Sequence, residues 1–212
     1  MSSKVNIMNM SSKTKKIGII GSAFNPPHLG HKDIIEQVYQ DFDEILLVPS
    51  YRHPFAKKMV SYKDRLYMAS MLGQSFHAES FRRFDSAATI ATSSIEREIG
   101  IKSSKPVYTY DVLEELEQRY LNANIKPELT FIIGPDNATH DTWSKFYKGD
   151  EISQRWNLRS VSERIPVHSS IIRELIADYH RPEFLFETRL KNYLDGVIAK
   201  YIFNHRLYGA HT

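Results

Sequence analysis

Apolar positions in this chain fall into two kinds of run, short continuous blocks and stretches spaced at three and four residues. Lys16-Ile-Gly-Ile-Ile-Gly21 is a block that ends in glycine, and Glu44-Ile-Leu-Leu-Val-Pro-Ser50 is a second block closed by proline. Both read as buried strands. Between them lies a Gly- and Pro-dense loop from Ser22 to Gly30, then Ile34, Ile35 and Val38 on one face of a helix over His31 to Tyr39. Strand, loop, helix and strand in this order define a βαβ unit with parallel pairing and a right-handed crossover. A helix is predicted over Tyr62 to Ser75 from Leu66, Met68, Ala69 and Leu72. Phe81 to Gly100 is ambiguous, with one short strand expected near Ser94 to Arg97. Thr109 to Leu121 reads as a helix with Val112, Leu113 and Leu116 inward and Glu115 to Arg119 as an i,i+4 pair. Leu129-Thr-Phe-Ile-Ile-Gly134 is a third buried strand, and Asn157 to Val167 holds a further short one. A helix follows Ser169. Leu190, Tyr193, Leu194, Val197, Ile198, Tyr201 and Ile202 fall at helical spacing, with Gly196 expected to break that helix in two.

This alternation predicts an α/β fold, a doubly wound (Rossmann-like), mostly parallel sheet with a small C-terminal helical segment. The expected organisation is a flexible tail over 1–15, an α/β domain over 16–168, and a helical segment of the same domain over 169–212. The polar, Lys- and Ser-rich stretch from Met1 to Lys16 lacks the apolar core of a secretory signal. No apolar run approaches the ~20 residues that cross a bilayer.

Composition narrows the chemistry mainly by exclusion. The 212 residues include no cysteine, which removes disulfides, zinc fingers, iron–sulfur clusters and thiol catalysis and suits a reducing compartment. A cytoplasmic location is the expectation. The formal net charge of +3 is mild. The cations are spread along the chain, so neither nucleic acid nor a membrane is an expected partner, and a homo-oligomer is left open.

In an open α/β sheet, ligands bind at the carboxyl ends of the strands near the switch in strand order. The loop after the first strand reads Gly21-Ser-Ala-Phe-Asn-Pro-Pro-His28-Leu-Gly-His31. Two histidines three apart at a helix entry can face one way, toward backbone N–H groups and the positive end of the helix dipole. Spacing alone leaves three readings open: surface histidines beside a turn, a metal site, or a phosphate cradle. Zinc wants a third ligand, and no nearby residue has the spacing. Neither GxGxxG nor GxxxxGK[ST] is present. Farther on, Ser169 and Ser170 stand at a predicted helix start, where simple helix capping is the reading that the residues alone favour.

The Gly21–His31 segment resembles the GxFxPxHxGH signature of the HxGH nucleotidyltransferase superfamily. More narrowly, the chain is similar to the bacterial-type nicotinate/nicotinamide mononucleotide adenylyltransferases. Val107-Tyr-Thr-Tyr-Asp111 resembles that family's SYTxDT, and Phe131-Ile-Ile-Gly-Pro-Asp136 its IIGxD strand end, with Trp143 following. His168-Ser-Ser-Ile-Ile-Arg173 resembles SSTxIR, with His168 and Ser170 in place of Ser and Thr, and Tyr201-Ile to Leu207-Tyr208 resembles the YI…LY ending. Asn25 stands where many members carry Asp. The segment from Trp143 to Ser169 is shorter than in many members.

The resemblance implies adenylyl transfer from ATP to nicotinate mononucleotide, giving deamido-NAD and pyrophosphate. Nicotinamide mononucleotide as preferred acceptor, or a non-catalytic nucleotide sensor on the same fold, are the alternatives. It implies that His28, His31 and Arg173 act on the ATP phosphates, with His31 at the α-phosphate. Gly21, Ser22, Ala23, Phe24, Gly134, Asp136, Ser169 and Ser170 would complete the ATP site. Lys57, Thr109 and Trp143 would face the mononucleotide. Mg²⁺ would arrive with ATP, held by phosphate oxygens and water, with no protein metal site.

Overall fold

The computed structural model describes residues 14–52, 59–80, 83–84, 88–103, 105–134, 143, 145–178 and 189–210. Strand β1 (Lys15–Ser22) leads through a buried loop into helix α1 (Leu29–Val38), then β2 (Glu44–Pro49) and α2 (Tyr62–Ser80). Next come β3 (Thr89–Thr92), α3 (Ile95–Gly100), α4 (Thr109–Asn122) and β4 (Pro127–Ile133). Helix α5 (Gly149–Arg155), β5 (Asn157–Ser160), α6 (Ser169–Ala177) and α7 (Gly196–Asn204) complete the chain, with short 3₁₀ turns at Leu190–Asn192 and Leu207–Gly209.

The five strands form one sheet in the order β3-β2-β1-β4-β5, and every neighbouring pair is parallel. The chain runs outward from β1 to β3 and then returns to β4 on the other side of β1. The switch in direction therefore lies between β1 and β4, whose carboxyl ends frame a crevice. The register sets Ile19 beside Phe131 and Ser22 beside Pro49.

Strand alternation explains why the blocks are continuously apolar. Ile17 and Ile19 of β1 point to one face, with Leu46 and Val48 of β2 and Leu129, Phe131 and Ile133 of β4. Ile20, Ile45, Leu47 and Ile132 point to the other. Both faces are covered by helices, as a parallel sheet requires. The first face packs on α3, α4 and α5 through Ile95, Leu113 and Ile152. The second packs on α1, α2, α6 and α7 through Ile35, Leu72, Ile172 and Ile198.

Several elements differ from the sequence reading. The third strand is Thr89–Thr92, and the residues expected as strand near Ser94 to Arg97 open helix α3 instead. Glu96 and Glu98 in its first turn suit a helix N-terminus, and the β-branched Thr89, Ile90 and Thr92 suit the strand. Gly196 begins α7, because Asp195 caps it by accepting from the Val197 N–H at 3.1 Å. Helix α5 lies in a stretch where no helix was expected, and α2 runs five residues beyond the expected Ser75, to Ser80.

The C-terminal elements are tied to the first βαβ unit by polar as well as apolar contacts. The Tyr193 carbonyl accepts from the Leu29 N–H at 2.9 Å, satisfying a donor at the start of α1. Lys32 of α1 reaches Asp195 at 3.1 Å, and Ser75 of α2 donates to the same carboxylate at 2.6 Å. Ile198 is fully buried in the shared cluster. Ile198→Ala is therefore expected to cost about 2–5 kcal/mol of unfolding free energy. Denaturant unfolding checks this, and a loss under about 1 kcal/mol would show α7 to be peripheral.

Candidate active site

The loop between β1 and α1 is buried from Phe24 to His28, so its backbone groups need partners inside the protein. Pro26 and Pro27 supply no N–H, and the loop carbonyls are met by side chains from distant helices. Arg65 of α2 donates to the Ala23 carbonyl at 2.8 Å. Arg173 of α6 donates to the Asn25 carbonyl at 2.8 Å, and Ser169 donates to the Pro26 carbonyl at 2.9 Å. The Asn25 side chain accepts from the Val60 N–H at 3.2 Å. Phe24 sits at φ 46, a left-handed conformation that costs a non-glycine residue about 1–3 kcal/mol, and its ring is fully buried against the shared core.

His28 is the N-cap of α1 and His31 its third residue. The His28 N–H donates to Nδ1 of His31 at 3.2 Å, which leaves the His31 proton on Nε2. That Nε2 lies 2.9 Å from Oγ of Ser22 at the end of β1. The two imidazoles are tilted by 45° with centroids 3.8 Å apart, and Phe24 flanks His31 at 4.8 Å. Nδ1 of His28 is buried and has no hydrogen-bond partner among the described residues. The fit at Gly30 is close: a Cβ there would lie 3.0 Å from His28 Nδ1 and 3.1 Å from Val167 Cγ1.

Burial keeps both rings neutral. It lowers the His31 pKa to about 3, and it pushes His28 far down in the same direction, assisted by the neighbouring His31 and His168. The pair thus presents neutral N–H donors, and the fixed positive charge beside it belongs to Arg173. Imidazole and guanidinium donors suit an anion. Mg²⁺ wants oxygen ligands, and among the described residues no group of three or more His, Asp or Glu is placed to hold a metal ion.

The structure brings Gly21, Ser22, Ala23, Phe24, His28, His31, Ser169 and Arg173 together at the end of β1. The helix near Ser169 starts as expected, with His168 as N-cap, so Ser169 and Ser170 are its first two residues. The Ser169 hydroxyl therefore pins the loop instead of capping its own helix. Gly134 directly follows the end of β4, and a Cβ added there would meet nothing within 4 Å.

Thr109 and Trp143 lie on separate elements, and among the described residues no hydrogen bond or ring contact joins them. Thr109 opens α4 after Tyr108, whose ring lies 4.6 Å from Tyr147. Trp143 stacks on Phe146 at 4.6 Å, approaches Phe131 of β4 at 6.2 Å, and donates Nε1–H to Ser153 Oγ at 3.0 Å. Lys57 and Asp136 lie outside the described residues. Arg65 was not among the sequence candidates. It sits on the buried side of α2 with Met68, Ala69, Leu72 and Phe76, and an arginine in an apolar stripe was the signal available.

With this geometry in place, comparison with known proteins gives a consistent answer. The cytidylyltransferase-like family model matches residues 19–175, and the chain belongs to that family. Within it, the chain groups with the nicotinate-nucleotide adenylyltransferases. It is 30% identical over 210 residues to a Myxococcus xanthus (strain DK1622) protein named as a probable nicotinate-nucleotide adenylyltransferase, covering 92% of this chain and 95% of that one. It is 29% identical over 201 residues to the nicotinate-nucleotide adenylyltransferase of Bacillus subtilis (strain 168), covering 85% and 96%. A crystal structure from Vibrio parahaemolyticus, described as a "putative nicotinate-nucleotide adenylyltransferase", superposes with a TM-score of 0.65 at 30% identity, covering 89% of this chain and 98% of that one. A Plasmodium falciparum nicotinic acid mononucleotide adenylyltransferase shares the fold at a TM-score of 0.63 and 16% identity, covering 93% and 98%. Among the described residues, no helix is long and apolar enough to cross a membrane.

The buried histidine pair carries a pH signature. The unfolded chain binds a proton at His31 near pH 6.5, whereas the folded chain does so only near pH 3. Between these values the unfolded state holds more protons, so this contribution is present above pH 6.5 and is lost as pH falls toward 3. NMR titration is expected to show the His31 ring neutral at pH 5, with Nε2 protonated, and stability falling by a few kcal/mol on the acid side. A His31 midpoint near 6.5 would contradict the described packing.

Proposed function

We propose that the chain transfers the adenylyl group of ATP to nicotinate mononucleotide, releasing pyrophosphate and forming deamido-NAD. The observation that carries this reading is the joint docking of His31 and Arg173 on the carbonyl-clamped loop at the β1–β4 switch. The names of the relatives that span nearly the whole chain support the choice of acceptor.

The reaction asks little of a side chain as base. The mononucleotide phosphate is already ionised at neutral pH. One of its oxygens attacks the α-phosphorus of ATP, a new P–O bond forms, and the bond from the α-phosphorus to the bridging oxygen breaks to release pyrophosphate. The protein's part is to align two polyanions and to stabilise charge at the α-phosphate and the leaving group. In this reading the His31 Nε2–H exchanges Ser22 Oγ for an α-phosphate oxygen. His28 and the guanidinium of Arg173 take the phosphates beyond. Arg173 spends one donor on Asn25, and a guanidinium carries five.

The remaining assignments are those that the resemblance implies. Backbone groups of Gly21, Ser22, Ala23 and Phe24 line the nucleotide, while Ser169 holds the loop and Ser170 and the α6 N-terminus face the anion. Gly134 leaves room for the sugar, and Asp136 is assigned to its hydroxyls. Trp143 and Thr109 are assigned to the pyridine ring and its substituent, and Lys57 to the mononucleotide side. Mg²⁺ is assigned as the counter-ion that ATP brings, held by phosphate oxygens and water. A location in the cytoplasm fits the reaction.

The test is to incubate the protein with ATP, Mg²⁺ and each pyridine mononucleotide in turn, following pyrophosphate and dinucleotide. Turnover is expected with nicotinate mononucleotide, at higher kcat/KM than with the nicotinamide form. Absence of turnover with both would overturn the reading and leave a nucleotide sensor. His31→Ala is expected to lower kcat by about 10²–10³, the usual cost of one positioned donor. Near-normal turnover in that variant would remove His31 from the α-phosphate.

A further inference from the structure

Arg65 is the largest fully buried side chain in the structure, at 1% exposure. A guanidinium that deep is costly unless its donors are met, and it is normally paired with a carboxylate. Here its hydrogen bonds among the described residues go to main-chain carbonyls. Nη1 donates to Ala23 at 2.8 Å and to Ser50 at 2.7 Å, and Nε donates to Val60 at 3.2 Å. Ala23 is the first residue past β1 and Ser50 the first past β2. One side chain therefore fastens the carboxyl ends of two adjacent parallel strands to the segment that enters α2.

The connection continues toward the histidines. The Val60 N–H donates to Asn25 Oδ1 at 3.2 Å, while the Asn25 carbonyl accepts from Arg173. Arg65 and Arg173 thus reach the same loop from opposite ends, one at Ala23 and one at Asn25. The ring of Tyr62 lies 5.5 Å from the Arg65 guanidinium carbon. Glu96, a buried acid close by, accepts from the Tyr51 N–H at 2.9 Å. The hydrogen-bond partners of Arg65 are thus main-chain carbonyls, with Glu96 as a carboxyl group nearby.

We propose that Arg65 is a positioning residue for adenylyl transfer, setting the 22–27 loop, and through it Ser22 and the His28–His31 pair, by clamping the ends of β1 and β2. The proposal rests on the adenylyl-transfer reading. It adds that the geometry of the phosphate site is imposed from below by a side chain that touches no substrate. A residue that only stabilises the fold would lower the melting temperature and leave kcat and KM of the folded protein unchanged. A positioning residue moves them, because small displacements of aligned groups are expensive in rate.

Arg65→Lys tests this, since it keeps the charge and loses the fork. In the folded variant we expect kcat to fall by about a hundredfold and ATP binding by calorimetry to weaken several-fold. Wild-type kcat and ATP affinity in folded Arg65→Lys would overturn the proposal. Should that variant fail to fold, Arg65→Gln decides, because it keeps a side-chain amide donor at the position and loses the fork that joins Ala23, Ser50 and Val60. A loss of kcat at unchanged helical content supports the proposal, and wild-type kcat overturns it. Failure of the adenylyl-transfer reading shows separately, as no turnover in the wild-type protein. In that case the ATP-affinity comparison still decides the role of Arg65.

Discussion

Everything in the site depends on how a buried, proline-containing loop finds donors for its own carbonyls. Between β1 and α1 the chain turns through Phe24 to His28 without exposure to solvent, and two of those residues have no N–H to contribute to local turn hydrogen bonds. An unmet buried carbonyl costs about 1–3 kcal/mol, so the fold has to supply partners from elsewhere. It does so from two directions: α2 through Arg65, and α6 through Ser169 and Arg173. The donors lie roughly forty and a hundred and forty residues from the loop in sequence. The conformation that presents His28 and His31 is thus a product of the whole sheet-and-helix assembly. The left-handed Phe24 and the close fit of Gly30 under His28 persist because the surrounding contacts over-determine them.

This explains which parts of the molecule could be read in advance. The buried strands β1, β2 and β4 are continuous apolar blocks with glycine or proline at their ends, a local signal that does not depend on tertiary context. The HxGH segment is equally local, so the histidine pair was legible as a candidate site, and the resemblance of the later motifs supplied Arg173 and Trp143. Strand β3 was misplaced because it has only four residues and shares a polar stretch with the acidic first turn of α3. Arg65 went unread for a different reason. Its partners are main-chain carbonyls of residues 23, 50 and 60, and no side-chain pattern in sequence encodes a carbonyl that tertiary folding leaves unpaired. The role of Ser169 shifted for the same reason, since its hydroxyl is taken up by the Pro26 carbonyl.

The electrostatics then follow from the packing. A net charge of +3 over 212 residues says nothing about where positive potential is useful. Histidines at a helix entry invite the assumption that they supply it as imidazolium, yet burial holds both rings neutral. The His28 N–H already occupies the Nδ1 lone pair of His31, so this ring cannot accept a proton there without giving up the helix cap. What it can do is donate from Nε2, toward the strand end where an anion would lie. Positive charge near the loop resides on the guanidinium groups of Arg65 and Arg173. An arrangement of neutral, oriented donors backed by fixed guanidinium charge is poorly suited to abstracting protons. It is well suited to holding phosphates in line, and in a reaction whose nucleophile is already ionised, in-line placement is what remains for the protein to provide.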